Sequence, residues 1–178
     1  ETGRSLQLYE KEVGFYREVA GHIGTRTPEI YFAEHDAGSG DFLLLMEDCG
    51  PAEQGDQLES CTLEQAEAAM AELAALHGGT YGRDAFLSLP FLQPNPQVRA
   101  FAAAGYPGAS EKFVEAYRGK IDDDLLAMIA QIGGQSSSLF TTESSPNDCV
   151  IHGDFRLDNM LFEIRSGSEP MVTLDWQT

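Results

Sequence analysis

Two short apolar runs near the end of the chain bracket a polar segment, and this pattern constrains the fold more than any other feature. The first run leads into His152-Gly153-Asp154, the polar segment continues to Asn159, and the second run ends at Asp175. Short apolar runs bounded by turn residues predict buried strands. Each strand end would then carry an oxygen ligand. We expect a site here in which a metal-bound phosphate meets a hydroxyl.

The spacing of these polar residues indicates a specific chemistry. Asp154 precedes Asn159 by five positions, as in the H-x-D-x-x-x-x-N loop of protein kinases. In that loop the Asp accepts a proton from the attacking hydroxyl, the Asn holds a metal ion, and an Asp on the next strand binds Mg²⁺. The pattern therefore predicts Asp154 as the base and Asn159 and Asp175 as Mg²⁺ ligands. His152 is predicted to be a structural hydrogen-bonding residue, and Asp158 a turn-stabilising carboxylate.

The same residues resemble a known family. His152-Gly153-Asp154 with Asn159 and a downstream Leu174-Asp175-Trp176 is similar to the pattern of aminoglycoside phosphotransferases and choline kinases. It looks closest to the ecdysteroid-kinase-like branch of small-molecule kinases. Gly153 stands where protein kinases usually have Arg, which argues against a regulated protein kinase. The resemblance implies a small-molecule kinase with an alcohol group as acceptor, using ATP and Mg²⁺.

The resemblance also implies a fold. We expect an α+β, protein-kinase-like two-lobe fold that is present in part, as the end of the small lobe and the first part of the helical large lobe. Residues 1–50 would form the remainder of the small lobe, with a helix, two strands and the hinge. Residues 51–178 would form the helical large lobe with the catalytic loop and the metal-binding strand.

Local patterns agree with this order of elements. They predict a helix over 5–23, a strand over 29–34, a turn over 36–40 and a buried strand over 42–46. Thr62 with Gln65 three positions later predicts a capping box at the start of a helix over 62–77. Shorter helices are predicted near 96–105, 109–119 and 122–132, separated at Tyr106-Pro107-Gly108, and a loop over 135–148.

By the resemblance, the first part of the chain contributes to nucleotide binding. Glu12 is the candidate for the helix Glu that pairs with a Lys on the preceding strand, the alternative being a solvated Glu. Met46, Glu47 and Asp48 are the candidate hinge, where backbone groups would read adenine. This sequence shows no match to the Gly-rich loop of such enzymes or to their Lys. Lys11 lies inside the predicted helix and so cannot be that Lys. We therefore expect a segment of a longer product that is inactive alone and associates through an unpaired sheet edge.

Charge and cysteine content restrict the partners. Eleven basic and twenty-nine acidic residues give a net charge of −18. Such a surface repels nucleic-acid phosphates, although spread acidic residues also favour solubility alone. No apolar run approaches the roughly 18 residues of a membrane span, and the N-terminal residues do not resemble a signal peptide. Cys49, Cys61 and Cys149 contain no CxxC pair. We predict a reduced, cytoplasmic protein that binds a hydroxylated small molecule, and neither nucleic acid nor membrane.

Two other functions stay open at this point. One is a catalytically inactive, pseudokinase-like module that binds a nucleotide or a partner. The other is a metal-dependent hydrolase built on His152, Asp154 and Asp175. The acceptor pocket would be built in part by the helices near 96–132, and steroid, sugar, aminoglycoside and choline-like acceptors all fit the pattern.

Overall fold

The computed structural model describes residues 7–140 and 145–176, in which helices alternate with small antiparallel sheets, as the α+β class requires. These residues form two compact units. One comprises the described parts of Glu1–Gln93 and Pro146–Thr178, and the other the described part of Pro94–Ser145. This division does not coincide with the lobe boundary predicted near residue 50, which stays a prediction.

The first unit begins with helix α1 (Leu8–Glu18), followed by a 3₁₀ turn (Ala20–His22). Strands β1 (Ile30–His35) and β2 (Phe42–Met46) then pair antiparallel. Their connection is tightened by Asp36, whose Oδ1 accepts hydrogen bonds from two backbone amides of the turn. The predicted helix, strand, turn and strand are therefore confirmed, although residues 5 and 6 of the predicted helix lie outside the described residues.

The prediction that β2 is buried is wrong. Leu43 is 61% exposed and Leu45 56% exposed. Alternate residues of a strand point to opposite faces, and only one face of this two-stranded sheet is covered by α1, where Leu44 joins the core and Phe42 stacks on Tyr9. A continuous apolar run does not distinguish a strand covered on both faces from one covered on a single face.

Helix α2 (Leu63–Thr80) carries the predicted capping box. The Thr62 side chain accepts from the Gln65 amide, and the Gln65 side chain accepts from the Thr62 amide. The helix runs past the predicted end at residue 77. Its last residue, Thr80, is fully buried and donates its hydroxyl proton to the Leu76 carbonyl oxygen. A short helix α3 (Asp84–Leu87) and a 3₁₀ turn (Pro90–Leu92) follow.

A second sheet lies late in the chain and carries the candidate site. Its strands are β3 (Glu53–Gln54), β4 (Met160–Glu163) and β5 (Glu169–Thr173), paired antiparallel in that order. A turn over Ile164–Gly167 joins β4 to β5. Met160, Phe162 and Met171 form a buried cluster with Ala69 of α2. A second cluster joins α1, α2 and the end of the chain through Phe15, Tyr16, Val19, Leu76, Phe86, Val150 and Trp176.

The helical unit contains α4 (Pro96–Tyr117) and α5 (Asp123–Phe140). The predicted break at Tyr106-Pro107-Gly108 is wrong, because α4 continues through Pro107. An interior proline costs roughly 3 kcal/mol, and here the helix is retained by extensive packing against α5. At one point a Cβ on Gly133 would come 2.4 Å from Ser110 Oγ, so the two helices approach closely there.

The predicted loop over 135–148 is wrong for residues 135–140, which belong to α5. The serines that suggested a loop are accommodated in the helix, because Ser136 and Ser138 donate their hydroxyl protons to backbone carbonyls three residues earlier. Residues 141–144 of that predicted loop lie outside the described residues. None of the described helices combines the length and apolar character needed to cross a membrane.

A network of charged side chains connects the end of β2 to β5. Glu47 accepts two hydrogen bonds of 3.0 Å from Arg26 and also pairs with Arg165. Arg26 and Arg165 both bind Glu169 as well. The Glu47 side chain is 5% exposed, so removing its charge leaves the two arginines without their shared buried partner. The side-chain hydrogen bond from Arg26 is the main reason that the pKa of Glu47 is lowered to about 2.

We expect Glu47→Gln to reduce the free energy of unfolding at pH 7 by about 2 kcal/mol, less than the roughly 3–5 kcal/mol of fully buried pairs because both arginines are partly exposed. A carboxylate with a depressed folded-state pKa stabilises the fold above its unfolded pKa, and this contribution is lost as pH falls. The gap in free energy of unfolding between wild type and variant should therefore narrow as the pH falls from 4.5, the ordinary pKa of a glutamate, towards about 2, the pKa in the folded protein.

Urea unfolding at a series of pH values measures this gap. Glu53→Gln, at an exposed position of β3, is the control and should change stability by less than about 0.5 kcal/mol. A gap that stays constant down to pH 3 would contradict the assignment.

Candidate active site

The pairing of β4 with β5 brings the predicted metal ligands to one end of the sheet. Met160 lies opposite Thr173, so the residue before β4 and the residues after β5 share that end. The Leu174 amide donates a 2.9 Å hydrogen bond to the Asn159 carbonyl oxygen. Asn159 is therefore bonded across the hairpin to Leu174, the residue that precedes Asp175.

The loop between Val150 and β4 alternates between core and surface. His152 and Asn159 are buried, and Phe155 and Leu157 pack against the β4–β5 core. The charged residues between them, Asp154, Arg156 and Asp158, reach the solvent. This alternation explains how a mostly polar loop is held firmly while its carboxylates stay accessible.

His152 fixes the loop to the following strand. Its ring is 1% exposed, and its Nε2 lies 2.8 Å from the Leu174 carbonyl oxygen. The Asp154 amide donates to its Nδ1 at 3.3 Å, so the proton of the neutral ring belongs on Nε2. Burial lowers the pKa of His152, which favours this neutral form. The geometry fits the predicted structural role and leaves neither nitrogen for proton transfer to a substrate.

Asp154 is held by two neighbours through the same carboxylate oxygen. Arg156 Nε donates to Asp154 Oδ2 at 2.9 Å, and Asn159 Nδ2 donates to it at 3.1 Å. Asn159 Nδ2 also donates to the Asp154 carbonyl oxygen at 2.9 Å. The side chain of Asp154 is 42% exposed. Its second oxygen, Oδ1, is therefore the atom that an acceptor hydroxyl could approach.

Asp175 lies two residues beyond the end of β5, in an unusual backbone conformation. Its φ is 63°, a left-handed conformation that Asp and Asn adopt more readily than other non-glycine residues. The chain then turns inward, and the Trp176 ring stacks on Phe15 of α1 with 3.7 Å between centroids. Trp176 Nε1 donates to the Thr173 carbonyl oxygen at 3.2 Å. These contacts fix the position of the residue that carries the carboxylate.

The two predicted ligands suit a hard cation. Asn159 makes its side-chain hydrogen bonds through Nδ2, which leaves the amide oxygen for a metal. Mg²⁺ is commonly held by one or two protein oxygens when phosphates supply the others. No group of three or more His, Cys, Asp or Glu side chains suited to a metal occurs within residues 7–140 and 145–176. Among the described residues the candidate centre therefore rests on the two predicted ligands, Asn159 and Asp175.

The predicted nucleotide residues differ in their surroundings. Glu12 of α1 is 7% exposed, which does not fit a solvated side chain, and its pairing with a Lys stays a prediction. Glu47 is occupied within the fold, because its side chain binds Arg26 and its amide donates to the Glu29 carbonyl oxygen. Adenine recognition by backbone groups of Met46, Glu47 and Asp48 stays a prediction. The Glu47 amide is already engaged in its hydrogen bond to Glu29.

The segment around β3 supports the loop that runs from Val150 to β4. Gln54 Nε2 donates to the Asp158 carbonyl oxygen at 3.0 Å, and the Gly55 amide donates to the Met160 carbonyl oxygen at 3.0 Å. A Cβ on Gly55 would lie 2.5 Å from the Leu157 carbonyl oxygen. Leu157 opens the 3₁₀ turn Leu157–Asn159, so a glycine is required where β3 meets the loop.

We expect Gly55→Ala to displace this turn and to weaken binding of a Mg²⁺–nucleotide complex by about tenfold or more, because the added methyl group meets backbone rather than a mobile side chain. Calorimetric titration would measure the change. Gly78→Ala is the matched control, since a Cβ there meets no atom within 4 Å and the site lies within α2. Equal affinity in both variants would show that the close approach does not position the loop.

Arg156 is a site residue that the sequence reasoning did not identify. Its Nη1 donates to Asp158 Oδ2 at 3.0 Å while its Nε binds Asp154. The signal was present in the alternation Asp154, Arg156, Asp158, since residues two apart in an extended segment lie on the same side. Thr80 also stabilises the start of this loop, which the sequence did not predict. Its Oγ1 accepts a 3.0 Å hydrogen bond from the Val150 amide.

The helical unit contains a cavity of about 670 Å³ between α4 and α5. Its lining includes Ser110, Glu111, Glu115, Arg118 and the backbone at Gly133 and Gly134. This volume lies within the range of small-molecule sites. The prediction that the helices near 96–132 contribute to acceptor binding is not decided by this cavity and stays a prediction.

Comparison with known proteins bears on the whole chain. No curated protein and no solved structure matches it. The family model described as the phosphotransferase enzyme family matches residues 1–178. This match confirms the resemblance to aminoglycoside phosphotransferases and choline kinases, and the ecdysteroid-kinase-like branch stays a prediction. The chain therefore belongs to the phosphotransferase enzyme family.

Proposed function

We propose that the protein is an ATP-dependent phosphotransferase that acts on a hydroxyl group of a small molecule. The observation that carries this proposal is the direct connection between the candidate base and a candidate metal ligand. Asn159 Nδ2 lies 3.1 Å from Asp154 Oδ2, and the Asn159 carbonyl oxygen accepts from the amide next to Asp175. A base beside two hard oxygen ligands is the arrangement that phosphoryl transfer to a hydroxyl needs.

Each residue would contribute a distinct part of the reaction. Asp154 Oδ1 would orient the acceptor hydroxyl and accept its proton, while Arg156 and Asn159 keep Oδ2 fixed. Asn159 and Asp175 would hold Mg²⁺, which when bound would neutralise phosphate charge. His152 keeps the loop attached to Leu174, so the base keeps its position relative to the ligands. Positioning and charge neutralisation supply most of the rate in such reactions.

A transfer assay on the full-length protein tests the proposal. The protein is incubated with ATP, Mg²⁺ and single acceptors from the steroid, sugar, aminoglycoside and choline-like classes, while mass spectrometry detects the phosphorylated acceptor and a phosphate assay detects hydrolysis. We expect phosphorylation of at least one acceptor with little release of free phosphate. Release that needs no acceptor would indicate a hydrolase, and nucleotide binding without turnover would indicate a pseudokinase. Either result would contradict the proposal.

A further inference from the structure

The hydroxyl of Tyr16 is buried without a hydrogen-bond partner among the described residues. Tyr16 lies in α1 and is 6% exposed. Buried hydroxyl groups are nearly always paired, because an unpaired one loses its hydrogen bonds to water and gains nothing in exchange. An unpaired donor in the middle of a core therefore requires an explanation.

The position of Tyr16 relates it to the end of β5. Tyr16 belongs to the buried cluster that also contains Phe15 and Trp176. The Phe15 ring stacks on Trp176 and meets the Tyr16 ring edge-on, at centroid distances of 3.7 and 5.8 Å. Since Trp176 directly follows Asp175, Tyr16 shares a buried cluster with the residue next to the candidate metal ligand.

The electrostatic surroundings agree with this placement. Burial is the main cause that raises the pKa of Tyr16, and the carboxylates of Glu12 and Asp175 raise it further. The phenol therefore stays protonated and can donate a hydrogen bond. The other buried polar atom without a partner among the described residues is Thr173 Oγ1, two residues before Asp175. Thr173 and Asp175 thus lie in the short segment that ends at Trp176, which shares the buried cluster of Tyr16.

We propose that Tyr16 is a positioning residue whose hydroxyl donates a hydrogen bond to the Asp175 carboxylate when a Mg²⁺–nucleotide complex occupies the site. This inference rests on the proposed function. Among the described residues no group accepts a hydrogen bond from this hydroxyl. In the liganded protein the hydrogen bond would select the carboxylate orientation that binds metal, so helix α1 would contribute to metal affinity without contacting the ion.

Tyr16→Phe tests the inference because it removes only the hydroxyl. Calorimetric titration of the full-length protein with ADP, in the presence and absence of Mg²⁺, measures binding without requiring turnover. We expect Mg²⁺–ADP affinity to fall about tenfold, as for a hydrogen bond to a charged group, and affinity for ADP alone to stay unchanged. The melting temperature of the unliganded variant should stay within about 4 °C of wild type. Tyr9→Phe, in the same helix, is the matched control and should match wild type throughout.

A double-mutant cycle with Asp175→Asn identifies the partner. If Tyr16 acts through the Asp175 carboxylate, Tyr16→Phe should change Mg²⁺–ADP affinity much less in the Asp175→Asn background. An equal loss in both backgrounds would overturn the inference, and so would wild-type affinity in Tyr16→Phe or a large drop in its unliganded melting temperature. If wild-type protein bound ADP equally with and without Mg²⁺, the metal assignment itself would fail, and this inference with it.

Discussion

Asp154→Asn is expected to lower kcat of the full-length enzyme by about 10³-fold while nucleotide affinity changes little, because a general base contributes roughly 10²–10⁴-fold. The Asn side chain keeps the shape of Asp and still offers an oxygen to Arg156. It no longer accepts the proton of the acceptor hydroxyl. Since that proton moves only as the hydroxyl attacks, the loss should appear in kcat rather than in binding. Steady-state kinetics together with calorimetric nucleotide binding would measure both quantities.

Asp158→Asn is the matched control for this prediction. It makes the same chemical change in the same loop, and its carboxylate also binds Arg156. Within the part of the chain that the structure describes, the Asp158 carboxylate bonds no other candidate site side chain, so we expect a loss of kcat below about tenfold. Asp154→Asn with a rate close to wild type would exclude Asp154 as the base. A loss of equal size in both variants would instead indicate that Arg156, their shared partner, is the important group.

Asp175→Ala is expected to abolish the Mg²⁺-dependent part of nucleotide affinity, because it removes the only charged ligand of the candidate metal site. Asn159→Ala should weaken that part less, since a neutral amide contributes less to binding a cation. It should also lower kcat, because Asn159 Nδ2 holds Asp154 Oδ2. Calorimetry with and without Mg²⁺ separates the two contributions, and identical binding by Asp175→Ala and wild type would remove the metal assignment.

The backbone at Asp175 calls for a second variant. Its φ of 63° is poorly tolerated by Ala and better tolerated by Asn. Asp175→Asn therefore removes the charge without adding backbone strain. If Asp175→Ala loses Mg²⁺-dependent affinity but Asp175→Asn retains all of it, the loss comes from a disturbed backbone and not from the missing carboxylate.

The sequence was sufficient to predict that Asp154, Asn159 and Asp175 flank one end of a strand pair, because these residues are close in the chain and fixed by local rules. A spacing of five residues relates Asp154 to Asn159, and antiparallel pairing of β4 with β5 brings the residues after β5 to the same end of the sheet. The capping box at Thr62 is also local. These features depend on hydrogen bonds between near neighbours, which the order of residues determines directly.

Features that depend on distant contacts were predicted poorly. By local rules, Pro107 and Gly108 predict a break between two helices. Packing of α4 on α5 nevertheless retains one continuous helix. The exposed side of β2 follows from which elements cover the sheet, and the apolar run alone does not show this. The network from Arg26 to Glu169 joins residues 143 positions apart. Neither composition nor periodicity relates such residues.

In the proposed reaction the loop residue Asp154 would accept the proton, and Asp175, which follows β5, would bind the metal. The most direct test is calorimetric titration of Asp154→Asn and Asp175→Asn with ADP, each with and without Mg²⁺. The two variants make the same chemical change at the two positions. We predict that Asp154→Asn keeps the full Mg²⁺-dependent gain in affinity and that Asp175→Asn loses it. The same gain in both variants, or a loss confined to Asp154→Asn, would contradict the account.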